Sequence, residues 1–383
     1  MSSSVDLAIA ANADRLAAWR GVRRLLAVRV DNLGDVLMTT PALAAAAQSL
    51  PGVEITLLGG PRAGALAPHL PMVREIIPAR VPWVPGDVDP SHDHLLIERL
   101  ADGRFDAAVI FTVCTQSALP AALMCRLAGI PLRLAHVREN PYGLLSDWVP
   151  ETDLVLDDAR HEVRRQLDLV GHVGWRTTDE RLRFALRQPD VARIDAWLDG
   201  EWMEKGERPL VVVHVGATAP SRRWPAERFG QVADVLAYEQ GARIVFTGGA
   251  DEAELVAAAR ACMRQPSHSL AGRLTLGQLG ALIARADLLV GNNSGPAHLA
   301  AALGTPVVDV YALTNPQHTP WRVPSRVLSR DVECRGCLKS RCPQGHHRCI
   351  ADVAPAEAVD AALSLLAQPR SAPSETHLLE TLA

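Results

Sequence analysis

Apolar runs that end in polar, glycine-containing loops recur along the chain. Residues 25–30 form the first strong run, and the runs at 54–58 and 105–112 are likewise typical of strands covered on both faces. Helical patterns follow two of these runs, at 36–50 and 117–128. Strands that alternate with helices predict parallel βαβ units in a doubly wound sheet.

The same alternation restarts in the second half of the chain. A predicted helix at 161–170 leads into a polar, Arg-rich stretch at 171–188, where we place the domain boundary. Beyond it we predict strands at 209–215, 243–247, 287–290 and 306–311, and helices at 225–239 and 296–303. The expected organisation is therefore an α/β protein with domains at 1–180 and 181–367 and a flexible tail at 368–383.

Composition and charge narrow the functional classes. The chain has 383 residues, 48% of them hydrophobic, and its 39 Lys+Arg against 43 Asp+Glu give a net charge of −4, which argues against broad nucleic-acid binding. Asp6 interrupts the N-terminal segment 1–24, which does not have the pattern of a signal peptide. The segment instead predicts a short amphipathic helix from the spacing of Leu7, Ile9, Leu16, Trp19 and Val22. Without a run of about 18 apolar residues, we expect a cytoplasmic protein with at most peripheral contact at the inner face of the cytoplasmic membrane.

The first candidate site is the loop 31–35, which follows the first predicted strand. In open α/β sheets ligands bind at the carboxyl ends of strands. Gly34 would let the backbone turn tightly or approach a ligand, and Asp35 begins the next predicted helix. A carboxylate there serves either as a favourable charge at a helix N-terminus or as a general base.

The second candidate site is the loop 291–298, which joins a strand to a helix. Ser294 is placed to cap this helix and Pro296 suits its first turn, so the free N–H groups predict a phosphate site that His298 could reach. The alternative is a well-capped helix with an incidental histidine. The loop has neither the Lys of a Walker A motif nor GxGxxG spacing, which disfavours a nicotinamide dehydrogenase.

The third candidate site is the loop 216–225, where Arg222 and Arg223 precede a predicted helix. Adjacent arginines can neutralise a diphosphate, although arginines are also common on solvated loops. Two of the three loops thus fall in the second half and suit a nucleotide diphosphate. The first loop falls in the other half and suits an acceptor, a division that a two-domain transferase requires.

Three long motifs resemble glycosyltransferase family 9, which includes the lipopolysaccharide heptosyltransferases. Residues 28–43 resemble its opening motif, 214–229 its donor-phosphate loop, and 293–311 its Asp/Asn-Ser-Gly-Pro-x-His motif. The resemblance spans roughly 25–353 and includes several ordered motifs.

The resemblance implies a GT-B fold with two Rossmann-like domains that face a central cleft. It also implies an inverting transfer of heptose from ADP-heptose to a lipopolysaccharide-core or related glycan, with no required cofactor. Asp35 matches the family's proposed general base, and Asn32 and Gly34 belong to the acceptor-side loop. The donor-binding positions implied are Thr218, Arg222, Asp251, Asn293, Ser294, Gly295 and His298.

One residue departs from the family pattern. Asn293 occupies a position often held by Asp in heptosyltransferases, and Asn lacks the charge while still donating and accepting hydrogen bonds. This departure leaves open the same fold acting with another nucleotide sugar or a protein acceptor. A separate alternative is a non-catalytic protein that binds sugar nucleotides, although the intact Gly34-Asp35 and Ser294-Gly295-Pro296-x-His298 elements count against it.

The seven cysteines form two groups. Cys114, Cys125 and Cys262 lie in apolar segments and are predicted to be buried thiols. The segment 334–349 contains Cys334, Cys337, Cys342 and Cys349 with His346 and His347, enough ligands for tetrahedral zinc. Similar cysteines occur in the second-heptose type of lipopolysaccharide heptosyltransferase, which is not regarded as a metalloenzyme. We therefore expect a structural segment, with a structural metal as the alternative.

Overall fold

The computed structural model describes residues 13–84, 89–154, 160–202 and 208–368. The chain divides into two compact units, Met1–Glu180 and Arg181–Ala383. Two predicted features lie outside the described residues, namely Leu7 and Ile9 of the N-terminal helix and the tail beyond Gln368.

The first unit contains a parallel six-stranded sheet with the strand order β3-β2-β1-β4-β5-β6. Its strands are β1 (Arg24–Arg29), β2 (Glu54–Gly59), β3 (Val73–Pro78), β4 (Ala107–Ile110), β5 (Leu132–Val137) and β6 (Asp147–Pro150). Its helices are α1 (residues 13–20), α2 (Leu33–Ser49), α3 (Pro90–Asp102), α4 (Leu119–Leu127) and α5 (Glu162–Gly171).

The second unit repeats this topology with a sheet of order β12-β11-β10-β7-β8-β9. Its strands are β7 (Leu210–His214), β8 (Arg243–Thr247), β9 (His268–Ser269), β10 (Leu288–Asn292), β11 (Val307–Val310) and β12 (Ser325–Leu328). Its helices are α6 (Gln188–Glu201), α7 (Ala226–Gln240), α8 (Ala253–Ala261), α9 (Leu276–Arg285), α10 (Gly295–Leu303), α11 (Arg348–Ala351) and α12 (Pro355–Leu366). Both sheets therefore have the doubly wound strand order of a Rossmann fold.

Each unit has its own apolar core. In the first, the residues of β1 and β4 that face α3 and α4 pack around Leu100 and Phe105. In the second, Trp224 and Phe229 meet in a T-shaped contact with ring centroids 4.9 Å apart and pack against one face of β7, β8 and β10. Such aromatic pairs add stability beyond the area that they bury.

The N-terminal helix predicted from the sequence is present at residues 13–20. It packs through Trp19, which is fully buried and meets Trp175 edge to face at 5.6 Å. The indole Nε1 of Trp19 donates to Asp147 at 2.9 Å, which attaches the helix to β6. Within the described ranges, no helix combines the length and apolarity needed to cross a membrane.

Some predicted boundaries were wrong. Helix α2 begins at Leu33 rather than at residue 36, because the Asn32 carbonyl already accepts the N–H groups of Asp35 and Val36. Gly34 is therefore a helical residue in the first turn and not a tight turn. Pro225 precedes α7 as its N-cap residue instead of lying inside the helix. Helix α6 begins at the end of the polar stretch 171–188 and was not predicted.

Candidate functional site

The strand order in each sheet reverses at one point, and a crevice opens there at the carboxyl ends of the strands. In the first unit the reversal lies between the adjacent strands β1 and β4, and in the second between β7 and β10. The predicted loop 31–35 follows β1, the loop 216–223 follows β7, and the loop 293–298 follows β10. All three candidate loops therefore lie at the switch points of their own sheets.

Asp35 lies in the first turn of α2 and is 9% exposed. Its Oδ2 accepts the backbone N–H of Asn32 at 3.1 Å, and its Oδ1 lies 3.4 Å from Nη2 of Arg29. The N-terminal end of the helix further favours a negative charge at this position. The carboxylate thus stabilises the start of the helix at the carboxyl end of β1, and its role as a general base stays a prediction.

Arg29 connects Asp35 to a buried charge network that the sequence analysis missed. The Arg29 side chain is fully buried, and its Nη1 donates to Glu162 of α5 at 2.8 Å. Its Nε lies 3.0 Å from Asp31. Glu162 also accepts from Gln166 at 2.6 Å and lies 3.7 Å from Arg165. Buried carboxylates in such number require cationic partners.

Asp31 is the carboxyl group of this network that follows β1 directly. Burial raises the pKa of Asp31 to about 6, although Arg29 lowers it, and the charges of Asp35 and Glu162 raise it further. A hydrogen bond from Gln116 favours the ionised form. Asp31 therefore exchanges its proton close to neutral pH.

The loop after β10 has the geometry of an anion site at a helix start. Ser294 occupies the N-cap position of α10 and Pro296 lies in the first turn. The Ser294 hydroxyl donates to the Asn292 carbonyl at 3.1 Å instead of capping the helix, so the predicted side-chain cap was wrong. Gly295 is the first helical residue, and His298 is buried one turn further along. Pro296 has no N–H and the Ala297 N–H donates to the Ser294 carbonyl at 3.0 Å, which leaves the N–H groups of Ser294 and Gly295 as the candidates for binding a phosphate at this helix start.

Asn292 joins the two loops at the switch point of the second sheet. Its amide Oδ1 accepts the N–H of Trp224 at 2.9 Å and its Nδ2 donates to the carbonyl of Val215 at 2.9 Å. The sequence analysis gave this residue no role, because an Asn in a polar loop has many other uses. The fully paired amide fixes the loop after β7 against the end of β10.

The remaining predicted donor residues surround this loop. Arg222 is half-buried on a 3-10 turn, and its charge acts on the buried Asp309 of β11. Thr218 is exposed on the loop after β7, and Asp251 is exposed on the turn after β8. The structure thus places every predicted donor residue in the second unit, on loops that follow β7, β8 and β10.

Glu252 and His214 form a buried pair at the ends of β8 and β7 that the sequence analysis missed. Glu252 is 8% exposed, accepts the N–H of Gly249 at 2.8 Å and lies 3.8 Å from Nε2 of His214. A Cβ on Gly216 would lie 2.0 Å from the Glu252 carboxyl atoms, so glycine is needed there. Burial lowers the pKa of His214, which Glu252 partly offsets, and the imidazole is therefore neutral near neutral pH.

Two further buried polar groups border the loop after β10. Asp309 is fully buried, and in the described parts of the chain neither of its carboxylate oxygens has a hydrogen-bond partner. This burial raises the pKa of Asp309 well above its usual range. The Asn293 side chain hydrogen-bonds the Tyr311 hydroxyl, yet its own amide oxygen accepts no hydrogen bond from the described residues.

The cysteine segment 334–349 forms partly exposed loops with free thiols. Cys334 Sγ lies 3.9 Å from His346 Nε2. Burial opposes ionisation of Cys342, but N–H groups of residues 344–347 donate to its sulfur and lower its pKa. Among the residues that the structure describes, no group of three or more potential ligands could hold a metal ion. Cys262 is exposed at the C-cap of α8, so its predicted burial was wrong.

Comparisons with known proteins agree with this architecture. The model of glycosyltransferase family 9 (heptosyltransferase) matches residues 94–347. Lipopolysaccharide heptosyltransferase 2 of Escherichia coli (strain K12) is 26% identical over 356 residues, which cover 90% of this chain and 99% of that protein. Lipopolysaccharide heptosyltransferase 3 of Escherichia coli is 25% identical over 295 residues, which cover 76% of this chain and 83% of that protein.

Solved structures share the fold. The glycosyltransferase family 9 protein of Veillonella parvula DSM 2008 has a TM-score of 0.72 at 21% identity and covers 90% of this chain and 97% of its own. The ADP-heptose LPS heptosyltransferase II of E. coli has a TM-score of 0.68 at 24% identity, and the match covers 90% of this chain and 98% of that protein. These similarities confirm the predicted α/β fold of the GT-B type with two Rossmann-like domains.

Proposed function

This chain belongs to glycosyltransferase family 9 and is a glycosyltransferase, and we propose that it transfers a heptose from ADP-heptose to a lipopolysaccharide-core or related glycan. The names of the relatives support the donor and acceptor class, because the curated proteins above are lipopolysaccharide heptosyltransferases. One solved relative carries the name ADP-heptose LPS heptosyltransferase II. The proposal places the protein at the inner face of the cytoplasmic membrane, where it would meet a glycolipid acceptor by peripheral contact.

The observation that carries the proposal is the position of Asp35 at the switch point of the first sheet. Its carboxylate is oriented by Asn32 and Arg29 at the carboxyl end of β1, where an acceptor hydroxyl would lie. In the proposed step Asp35 takes the hydroxyl proton while the hydroxyl oxygen bonds to the anomeric carbon. The bond from that carbon to the diphosphate oxygen breaks, and the electron pair leaves with ADP. Attack from the opposite side inverts the anomeric configuration.

The second unit would hold the donor and stabilise the leaving diphosphate. Arg222 supplies a positive charge, and the N–H groups of Ser294 and Gly295 supply hydrogen-bond donors at the start of α10, with His298 one turn away. Thr218 and Asp251 would contact the phosphate and the nucleoside from the exposed loops. These groups neutralise the leaving charge from the protein side, so the proposed step requires no cofactor.

A second candidate function is supported by Asn293. Its buried amide oxygen accepts no hydrogen bond from the described residues and is available to a sugar hydroxyl, but it carries no charge. A donor other than ADP-heptose, or a protein acceptor, would be compatible with such a neutral contact. The fold and the role of Asp35 would be unchanged.

Donor profiling by calorimetry on the full chain tests these proposals. We would compare ADP-heptose, ADP-glucose, UDP-N-acetylglucosamine and GDP-mannose, and then assay transfer with wild type and Asp35→Asn. Selective binding of ADP-heptose, with transfer abolished in Asp35→Asn while donor affinity is kept, is the expected result. Preference for another sugar nucleotide would favour the second candidate. Binding without turnover on any acceptor would instead indicate a non-catalytic protein.

A further inference from the structure

The Arg29 guanidinium is shared among three carboxylates, one for each of its nitrogens. Nε faces Asp31 at 3.0 Å, Nη1 donates to Glu162 at 2.8 Å, and Nη2 faces Asp35 at 3.4 Å. Arg29 and Glu162 are fully buried. Arginine suits this position because its planar group presents donors in fixed directions and stays charged.

The charges around Arg29 come from three elements. Asp31 follows β1, Asp35 lies on α2, and Glu162 lies on α5. Glu162 has a second cation, because Arg165 approaches it at 3.7 Å while also pairing with Glu151 at the end of β6. Glu162 at 2.8 Å is the closest partner of Arg29. Asp31 at 3.0 Å and Asp35 at 3.4 Å face the two other nitrogens of the guanidinium and therefore compete for the rest of its charge.

We propose that Arg29 is a positioning residue for Asp35, that it orients the carboxylate and keeps it ionised among like charges, and that Asp31 weakens this effect by competing for the same guanidinium. The inference rests on the proposed role of Asp35 as the general base. Asp35 Oδ2 accepts the Asn32 N–H at 3.1 Å, and Oδ1 lies 3.4 Å from Arg29 Nη2, so the carboxylate is oriented from both sides. A base held in this way is ionised before the acceptor arrives, at the expense of some proton affinity.

The structure gives Asp31 the properties of a competitor. It lies beside Arg29 and also interacts with the charges of Asp35 and Glu162. Its pKa of about 6 means that it gains negative charge as the pH rises toward 7, when it draws more strongly on Arg29. Removing Arg29 and removing the charge of Asp31 should therefore have opposite effects on Asp35.

The test is the pH dependence of transfer between pH 5 and 9 for full-length Arg29→Met, Arg29→Lys and Asp31→Asn. ADP-heptose would serve as donor and an O-deacylated inner-core glycan that carries one heptose as acceptor. Loss of an opposite charge within about 4–6 Å shifts a carboxyl titration by about 1–3 units. We expect the apparent pKa of the acidic limb in the pH profile of kcat to rise by about that amount in Arg29→Met and by less in Arg29→Lys. In Asp31→Asn this apparent pKa should fall by about one unit.

Opposite shifts distinguish this role from a purely structural one. If the substitutions only disturbed packing, kcat would fall at all pH values, or the apparent pKa of the acidic limb would shift in the same direction in both variants. Either result overturns the proposal. Arg29→Met leaves buried carboxylates without a cation and could unfold the chain. The double variant Arg29→Met/Glu162→Gln removes one of those charges and is then compared with Glu162→Gln, with the same upward shift expected.

Different results would contradict the proposed role of Asp35 and the proposed role of Arg29. Full transfer by Asp35→Asn would overturn both, since no base would then remain to be positioned. If Asp35→Asn abolishes transfer while Arg29→Met leaves the acidic limb where it is in wild type, only the inference about Arg29 is wrong.

Discussion

Among single residues, Asn292 joins the loops after β7 and β10, which are proposed to bind the donor. Asn292→Ala would leave the buried N–H of Trp224 and the buried carbonyl of Val215 without their 2.9 Å partners. Each buried polar group left unsatisfied costs about 1–3 kcal/mol. We expect urea unfolding to show a loss of at least about 1 kcal/mol together with weaker donor binding. Asn140→Ala is the matched control, because the exposed Asn140 accepts one N–H, from Tyr142.

The control should change the free energy of unfolding by no more than about 0.5 kcal/mol. Equal losses for Asn292→Ala and Asn140→Ala would contradict the structural role of Asn292. A loss of stability with unchanged donor affinity would separate the fixing of the loop from donor binding.

The buried Asp309 predicts how the free energy of unfolding depends on pH. Its folded pKa is raised above the unfolded value, so the folded state binds more protons, and stability falls as the pH rises above about 4. Asp309→Asn keeps the shape and removes this dependence. The variant should be more stable than wild type at pH 7, and the gain should shrink toward pH 4. Urea midpoints at pH 4.5 and 7 measure this, and a gain that is larger at pH 4.5 would contradict it.

Residues differ in how far the sequence could reveal their roles. The positions of Asp35 and the loop 293–298 in the fold were predictable, because a short local motif places each after a strand and at a helix start. Glu162 was not, because it pairs with Arg29 across 133 residues of chain and its own neighbourhood resembles any charged helix start. Asp309 lies in an apolar strand, and its burial depends on neighbouring strands that the sequence alone does not pair.

At the level of secondary-structure elements, helices α7 and α8 pack closely because Gly230 has no side chain. A Cβ on Gly230 would lie 1.9 Å from the carbonyl oxygen of Ala259. Gly230→Ala must therefore separate the two helices, at a cost of about 1–3 kcal/mol that exceeds its gain in helix propensity of about 0.5–1 kcal/mol. We expect a lower midpoint in thermal unfolding followed by circular dichroism.

Gly200→Ala in α6 is the control, because no heavy atom lies within 4 Å of the Cβ that it would add. That variant should be neutral or stabilised by up to about 1 kcal/mol. If Gly230→Ala is as stable as Gly200→Ala, the close approach of α7 and α8 is not a constraint on the fold.

The strands that the sequence analysis missed include those at the edges of the sheets. β3 exposes Arg74 and Glu75, and β12 is exposed at its two central residues. Edge strands bury less side chain and carry charges, so the apolar runs that indicate β1 and β7 are absent from them. The central strands and the loops that follow them were therefore predictable, while the full strand count was not.

In the molecule as a whole, two sheets with the same strand order carry different chemistry at equivalent positions. The loop after the first strand of one sheet holds Asp35, and the corresponding loop after β7 holds Arg222. The proposed base for the acceptor and the proposed cation for the leaving group thus occupy the same topological position in the two units. The fold supplies the position and the loop residues supply the function.

This division predicts where ADP acts on the full-length chain. Hydrogen exchange with saturating ADP should slow most at the loops 216–223, 249–252 and 293–298, because the proposed phosphate and nucleoside contacts all lie in Arg181–Ala383. Amides of the loop 31–35 should change less, since no proposed ADP contact comes from that loop. Arg222→Ala should reduce the protection, whereas Asp35→Asn should leave it intact. Strongest protection at the loop 31–35 would assign ADP to the first unit and reverse the proposed roles of the two units.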